Sequence, residues 1–169
     1  MYVITIVGAE SSGKTMLAKQ LAEAYGCPWV PEYAREYLEQ LGRPYAFEDL
    51  EQIARGQWEL QQQFQSNDKR ILIVDGGILT IKMWARIKYE EMIPFVEELM
   101  DKDLTSLYLL CRPRREWEFD PLREAPSLVD RVWIYQQYLD YLQKRNRPFQ
   151  LVQPGPEVIV NWKSIPGLP

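Results

Sequence analysis

Apolar segments recur along the chain with two different periods, which predicts strands that alternate with helices. The run 2–7 is largely apolar, as expected for a strand covered on both faces. A helical stripe then runs over 16–25 and stops at Gly26, because glycine is favoured just past a helix end. A short second strand is predicted around 28–30.

The middle of the chain predicts two helices and a buried strand. One helix starts around 31–32 and ends near Gly42, and the next keeps a helical apolar period over 50–64. Glutamines fill most of its other positions, and we interpret them as a solvated helix face rather than an interaction tract. The apolar run 71–74 predicts a buried parallel strand that ends in Asp75. The glutamines are Gln57, Gln61, Gln62, Gln63 and Gln65.

The second half completes the alternation, so we predict one domain over 1–169 with a three-layer α/β P-loop fold. Its sheet is expected to be mainly parallel and five-stranded, with helices on both faces. Ser127 and Asp130 start the last helix in a capping-box-like way. The charged, proline-containing segment 112–126 is predicted to be a loop or short-helix excursion, and the role of the tail 153–169 stays open. The predicted elements are helices at 78–89, 94–100 and 127–145 and strands at 106–111 and 148–152.

The strongest chemical signal lies between the first strand and the first helix. The octapeptide Gly8-Ala9-Glu10-Ser11-Ser12-Gly13-Lys14-Thr15 fits the P-loop pattern G-x-x-x-x-G-K-[ST]. Its backbone N–H groups and the following helix dipole would face phosphate oxygens. We predict that Lys14 reaches the β and γ phosphates of ATP and that Thr15 binds Mg²⁺. The alternative is a glycine-rich turn without a ligand.

Two carboxylates lie where open α/β sheets bind ligands. Asp75 ends a buried strand and is the candidate for holding the metal; it could also cap the next helix. Glu32 follows the second strand and is the candidate base opposite the γ-phosphate. The alternative for Glu32 is a first-turn glutamate favoured by the helix dipole.

The segment 112–126 is the candidate lid. Kinases of small molecules close an arginine-bearing lid that expels water and neutralises the transferring charge. The alternative is a solvated charged loop. The arginines of the segment are Arg112, Arg114, Arg115 and Arg123.

The composition and charge of the chain exclude several classes of function. The 169 residues include no histidine, so Ser-His-Asp hydrolysis and histidine-ligated zinc are excluded. A formal net charge of −4 argues against a nucleic-acid surface. Cys27 and Cys111 have no C-x-x-C spacing, so both thiols are interpreted as structural. With no signal-peptide pattern and no long apolar run, we expect a cytoplasmic protein that does not associate with membranes. The oligomeric state stays open.

Four groups of residues occur in order over nearly the whole chain, up to about Val152. The groups are the loop 8–15 with its Glu-Ser-Ser core, Pro-Glu-Tyr-Ala-Arg-Glu at 31–36, Thr80 with Lys82, Trp84 and Tyr89, and Trp-Glu-Phe-Asp-Pro-Leu-Arg-Glu at 117–124. Together they resemble the ribosylnicotinamide kinase domain of NadR-type proteins. The resemblance implies an ATP-dependent kinase that phosphorylates the 5′-hydroxyl of nicotinamide riboside and feeds NAD synthesis, as a stand-alone domain.

The resemblance also implies roles for single residues. Glu32, Arg35 and Asp120 would bind the acceptor nucleoside, and Asp75 would serve the metal or act as the base. Arg112 and Arg123 would belong to the lid. Arg112 would bind ATP there, and Arg123 would act in catalysis. The candidates to stack on the base are Tyr33, Trp84 and Trp117, with core packing as their alternative. Tyr138, on the last helix, is interpreted as a packing or surface residue.

One departure from the family pattern keeps other functions open. The family reads Asp-Thr-Asp where this chain has Asp75-Gly76-Gly77, so a second carboxylate is missing. The first hypothesis is a kinase for nicotinamide riboside or a similar nucleoside. The second is a kinase for another nucleoside or small metabolite, and the third is a nucleotide-binding sensor or slow NTPase without acceptor transfer.

Overall fold

The strands and helices alternate as the sequence predicts. The computed structural model of the chain describes residues 1–65, 70–117, 119–120, 122 and 124–155. The strands are β1 (Tyr2–Gly8), β2 (Trp29–Val30), β3 (Ile71–Asp75), β4 (Thr105–Cys111) and β5 (Phe149–Val152). The helices are α1 (Lys14–Tyr25), α2 (Tyr33–Leu41), α3 (Phe47–Gln65), α4 (Gly77–Tyr89), α5 (Pro94–Asp101) and α6 (Leu128–Lys144).

The strands form one sheet of five in the order β2-β3-β1-β4-β5. Every neighbouring pair is parallel, which confirms the predicted sheet. β1 lies at its centre, so the loop after β1 opens between the ends of β3 and β4. Ligands of open α/β sheets bind at such carboxyl ends.

Helices cover both faces of the sheet and make it a three-layer structure. On one face Ile4 and Ile6 of β1 pack with Leu17 and Leu21 of α1. On the other face Val7 belongs to an apolar cluster with buried side chains of α3, α4, α5 and α6. The alternation of β1 side chains between two apolar layers explains its nearly continuous apolar sequence.

The interpretation of the glutamines of α3 is correct only in part. Gln62 and Gln63 are exposed, whereas Gln57 and Gln61 are buried. The buried pair lies seven and eleven positions after Leu50, on the same helical stripe, and therefore faces the protein interior. The apolar pattern of α3 did not reveal their burial, because the inner stripe of the helix is polar at these two turns.

The start of the tail packs on the P-loop. A Cβ atom at Gly13 would lie 2.9 Å from the Cβ of Pro154, and the Gln20 amide donates to the Gly155 carbonyl oxygen at 3.5 Å. Residues 156–169 lie outside the described part of the chain. Among the described residues, none of the helices combines the length and apolar character that crossing a bilayer requires. Burial raises the pKa of Cys111 to about 12, so its thiol stays protonated.

Substitution of Gly56 by alanine is expected to destabilise the protein. A Cβ atom there would lie 2.1 Å from Cε1 of Tyr33, so the ring between α2 and α3 must move. Overpacking of this kind costs about 1–3 kcal/mol, which outweighs the gain of about 1 kcal/mol in helix propensity. Urea unfolding measures the difference. Gly155→Ala, where a Cβ meets nothing within 4 Å, is the control; a Gly56→Ala protein as stable as wild type would contradict the packing described.

Candidate active site

A cavity of about 320 Å³ opens where the strands end. Its floor is the P-loop, its far wall is formed by α2, α3 and α4, and the segment after β4 covers it. The structure thus brings together the three regions in which the sequence predicts chemistry. The described lining residues outside the P-loop include Glu32, Arg35, Gln57, Gly77, Thr80, Trp84, Arg114, Glu124 and Tyr138.

The P-loop takes left-handed turns that need small residues. Gly8 has φ +146° and Gly13 has φ +86°, and a Cβ at Gly8 would lie 2.8 Å from the carbonyl oxygen of Cys111. Ser11 also adopts a positive φ, of +53°. Gly13 precedes α1, whose first N–H groups have no partner within the helix and receive no side-chain cap from Gly13. This backbone is suited to bind an anion.

Lys14 provides the positive charge of the cavity floor. Its Nζ donates to the Ala9 carbonyl oxygen at 3.0 Å, so the side chain folds back over the loop. Its charge opposes the effect of burial on the pKa values of both Glu32 and Asp75. Lys14 therefore lies within electrostatic reach of both carboxylates that the sequence singles out.

Thr15 and Asp75 form a pair of oxygen ligands. The Thr15 hydroxyl donates to Oδ2 of Asp75 at 2.6 Å, and Oδ1 of the buried Asp75 has no hydrogen-bond partner. Burial raises the pKa of Asp75, while Lys14 and the Thr15 hydroxyl oppose that rise. A hydroxyl and a carboxylate with a free oxygen fit a hard cation such as Mg²⁺, which protein sites hold with one or two carboxylates plus substrate phosphates.

Glu32 faces the P-loop from the start of α2. It is the N-cap residue of α2, but its side chain makes no cap hydrogen bond. Burial raises the pKa of Glu32, with Asp75 and Glu10 adding to the rise and Lys14 opposing it. Its carboxyl group is therefore placed as a proton acceptor with more basicity than an ordinary glutamate.

Gly77, the second residue after Asp75, leaves no room for a second carboxylate. A Cβ at Gly77 would lie 2.9 Å from Cγ2 of Thr5, and φ there is +63°. A Cβ at Gly76 would lie 3.5 Å from Cδ of Glu32. Glu32 thus occupies the corner beside Gly76, and this backbone admits no side chain at Gly77.

Gly77→Ala is expected to lower stability more than Gly42→Ala. Both glycines have a left-handed φ, of +63° and +67°, and that conformation costs alanine about 1–2 kcal/mol. Only Gly77 adds a clash, because a Cβ at Gly42 meets nothing within 4 Å. The clash should add about 1–3 kcal/mol in urea unfolding. Equal losses for the two variants would show that position 77 has room for a side chain.

Glu10 of the P-loop holds the end of the lid segment. Its carboxylate accepts the backbone N–H of Glu124 at 2.9 Å and that of Ala125 at 2.8 Å. Glu124 in turn accepts from the Tyr45 hydroxyl at 2.9 Å and from Nζ of Lys88 at 2.6 Å. The lid segment is therefore tied to the P-loop and to the far wall of the cavity.

Two arginines contact other described residues of the lid segment. Arg35 donates to Asp120 at 2.8 Å, which joins α2 to this segment. Arg131 of α6 is buried and donates to the Glu116 carbonyl oxygen at 3.1 Å, with its guanidinium 5.2 Å from the Trp117 ring. The described part of the segment is thus attached to α2 and α6, although several of its side chains are exposed.

The structure separates the aromatic candidates. Trp84 and Tyr138 line the cavity, so the interpretation of Tyr138 as a packing or surface residue is incomplete. Tyr33 does not line the cavity, because its ring packs on Gly56. Trp117 is also absent from the described lining, since it lies against Arg131.

The predicted lid arginines have different positions. Arg114 lines the cavity, whereas Arg112 is exposed and does not line it. The Arg112 backbone N–H continues the β4–β5 pairing by donating to the Val152 carbonyl oxygen at 2.9 Å. Arg123 lies outside the described residues.

Sequence reasoning missed several residues of the site. Gln57, Tyr45 and Thr80 line the cavity, and Arg131 supports the lid. The burial of Arg131 could have been predicted from the sequence. It precedes Ile134 by three positions and Tyr138 by seven, and therefore lies on the buried stripe of α6. A charged residue on such a stripe needs a buried partner.

Comparison with known proteins agrees with this architecture. The chain is 28% identical over 157 residues to the trifunctional NAD biosynthesis/regulator protein NadR of Escherichia coli (strain K12), covering 89% of this chain and 38% of that protein. The NadR of Salmonella typhimurium is also 28% identical, over 151 residues, with coverages of 86% and 37%. The chain thus spans well under half the length of these relatives.

Solved structures share the fold. A crystal structure of NadR protein in complex with NR superposes with a TM-score of 0.80 at 20% identity and covers 92% of this chain and 46% of that one. Thymidylate kinase from Ehrlichia chaffeensis superposes with a TM-score of 0.62 at 16% identity, with coverages of 92% and 88%. Residues 3–157 match the AAA_28 family model, described as an AAA domain, and the chain therefore belongs to that family.

Proposed function

We propose that this chain is an ATP-dependent kinase that transfers the γ-phosphoryl group to the 5′-hydroxyl of nicotinamide riboside or a similar nucleoside, in NAD biosynthesis. The observation that carries the proposal is that one cavity joins the P-loop to Glu32, with Thr15 of the lining hydrogen-bonded to Asp75 and with residues of the segment 112–126 on its border. The similarity to NadR proteins supports the choice of acceptor. The proposal concerns this kinase domain alone.

The donor half of the site binds and orients ATP. The backbone N–H groups of the P-loop and the start of α1 receive the phosphate oxygens, and Lys14 exchanges its bond to the Ala9 carbonyl for the β and γ phosphates. Thr15 and Asp75 would hold Mg²⁺, which neutralises charge on the phosphates when bound. Phosphoryl transfer depends mainly on such positioning and charge stabilisation.

The acceptor half positions the hydroxyl and takes its proton. Glu32 accepts the proton of the 5′-hydroxyl while the new oxygen–phosphorus bond forms and the bond from the γ-phosphorus to the bridging oxygen of ADP breaks. We assign the base to Glu32 because Glu32 lines the cavity, whereas Asp75 is buried outside its lining and bonded to Thr15. Trp84 is the aromatic candidate to stack on the base of the nucleoside.

The charge of the cavity suits a nucleoside with a cationic base. Among the described lining residues, the carboxylates of Glu10, Glu32, Glu116 and Glu124 accompany the cations Lys14, Arg35 and Arg114. Glu124 is paired with Lys88 and Glu116 with Arg114, so a triphosphate that engages Lys14 would leave Glu32 as the carboxylate facing the acceptor. The pyridinium ring of nicotinamide riboside is complementary to that carboxylate.

A panel of acceptors tests the proposal. ADP release is measured from MgATP alone and with nicotinamide riboside, uridine, deoxyadenosine or thymidylate, and the proposal predicts the largest stimulation by nicotinamide riboside. Turnover of uridine with none of nicotinamide riboside would instead identify a kinase for another nucleoside. ATP binding without stimulation by any acceptor would identify a sensor or slow NTPase.

A further inference from the structure

Gln57 is a buried polar side chain in the wall of the cavity. It is 1% exposed and lies on the inner stripe of α3 with Leu50, Ile53 and Ala54. A buried amide costs stability unless its donor and acceptor are both bonded. The hydrogen-bond partners of the Gln57 amide therefore indicate its role.

Both partners of Gln57 belong to the segment that carries Glu32. Its Oε1 accepts the backbone N–H of Tyr33 at 2.8 Å, and its Nε2 donates to the carbonyl oxygen of Pro31 at 3.3 Å. The two bonds hold the peptide units on either side of Glu32. An amide is suited to both, since it offers an acceptor and a donor on one planar group.

The bond to Tyr33 also ties the start of α2 to α3. The Tyr33 N–H is at the first turn of α2, where N–H groups lack partners within the helix. An N-cap carboxylate would accept from the second or third N–H of the helix, but the Glu32 side chain makes no cap hydrogen bond. Its carboxylate is therefore available to the cavity, while the neighbouring helix satisfies the Tyr33 N–H.

We infer that Gln57 is a positioning residue of Glu32: by bonding the peptide units on both sides of this residue, it fixes the backbone from which the carboxylate reaches the cavity. The inference rests on the proposed function, in which Glu32 is the base. Gln57 acts through Glu32, so its effect should depend on the presence of the Glu32 carboxylate.

A double-mutant cycle tests this dependence. Gln57→Leu is expected to lower kcat with nicotinamide riboside about 10- to 100-fold, because misplacing a reacting group by about 1 Å has effects of this size. The KM for ATP should stay within about twofold, since the P-loop is untouched. In a Glu32→Gln background the same substitution should cost less than about threefold, because the two effects act through one group.

Two further variants keep the test decisive. Gln57→Met keeps the length of the side chain and removes both bonds without adding a charge, and it carries the cycle if Gln57→Leu does not fold. Its expected loss is similar to that of Gln57→Leu. Gln61→Leu is the matched control: Gln61 is buried one turn further along α3 but does not line the cavity, and its kcat should match wild type.

The outcomes separate the inference from the proposed function. Wild-type protein that shows no acceptor-stimulated turnover overturns both. Active wild-type protein overturns the inference alone if the Gln57 variants keep the wild-type kcat, or if their losses multiply fully with that of Glu32→Gln. A kcat loss that disappears in the Glu32→Gln background supports it.

Discussion

Replacement of Lys14 by alanine is expected to reduce phosphoryl transfer by about 10²- to 10³-fold, the usual effect of removing one preorganised charge from a transition state. Lys14 is the cation of the cavity floor and lies within electrostatic reach of Glu32 and Asp75. Its loss also removes the charge that opposes the raised pKa of Glu32. The low-pH limb of the rate profile should therefore move to higher pH. Initial rates of ADP formation across pH measure both effects.

Lys19→Ala is the control for this experiment. Lys19 is exposed on the same helix and does not line the cavity, so its removal should leave the rate near that of wild type. Transfer at the wild-type rate by Lys14→Ala would contradict the assignment of residues 8–15 as the phosphate site.

Replacement of Glu32 by glutamine is expected to lower kcat by about 10²- to 10⁴-fold, the range of general base catalysis. Glutamine keeps the size of the side chain but cannot take a proton. Burial raises the pKa of Glu32, so the wild-type rate should fall with decreasing pH at a value above the ordinary glutamate range. That limb should be absent from Glu32→Gln, because no carboxylate remains to be protonated.

Glu36→Gln supplies the matched control. Glu36 is exposed on α2, one turn beyond Glu32, and does not line the cavity. Binding of an ATP analogue, followed by calorimetry, should be retained in both variants. A Glu32→Gln protein with the kcat and pH profile of wild type would show that another group accepts the proton.

Local sequence patterns predicted most of the fold. The apolar runs at 2–7 and 71–74 correspond to the neighbouring parallel strands β1 and β3. The P-loop follows β1, and Asp75 is the last residue of β3. Periodicity identified α3 as a helix but not its inner polar face, because Gln57 and Gln61 carry no apolar signal. Burial of a polar side chain depends on partners from distant segments, which a periodic pattern does not contain.

The site was predictable where one segment carries the chemistry, and not where contacts join distant segments. Glu10 looked like an interior residue of the P-loop, yet it accepts two N–H groups from residues 124 and 125. Tyr33 looked like a stacking aromatic because it follows Glu32, but α2 turns its ring toward Gly56. Residues that are adjacent in a helix point in different directions. The surroundings of such side chains can therefore be assigned only when the fold is known.

Identification of the phosphorylated product tests the central claim most directly. The purified chain is incubated with MgATP and nicotinamide riboside, and the products are followed by phosphorus NMR and mass spectrometry. We predict a phosphomonoester on the 5′-hydroxyl of the nucleoside, formed in equal amount with ADP. Formation of ADP and inorganic phosphate at the same rate with and without nucleoside, and no phosphorylated nucleoside, would contradict it.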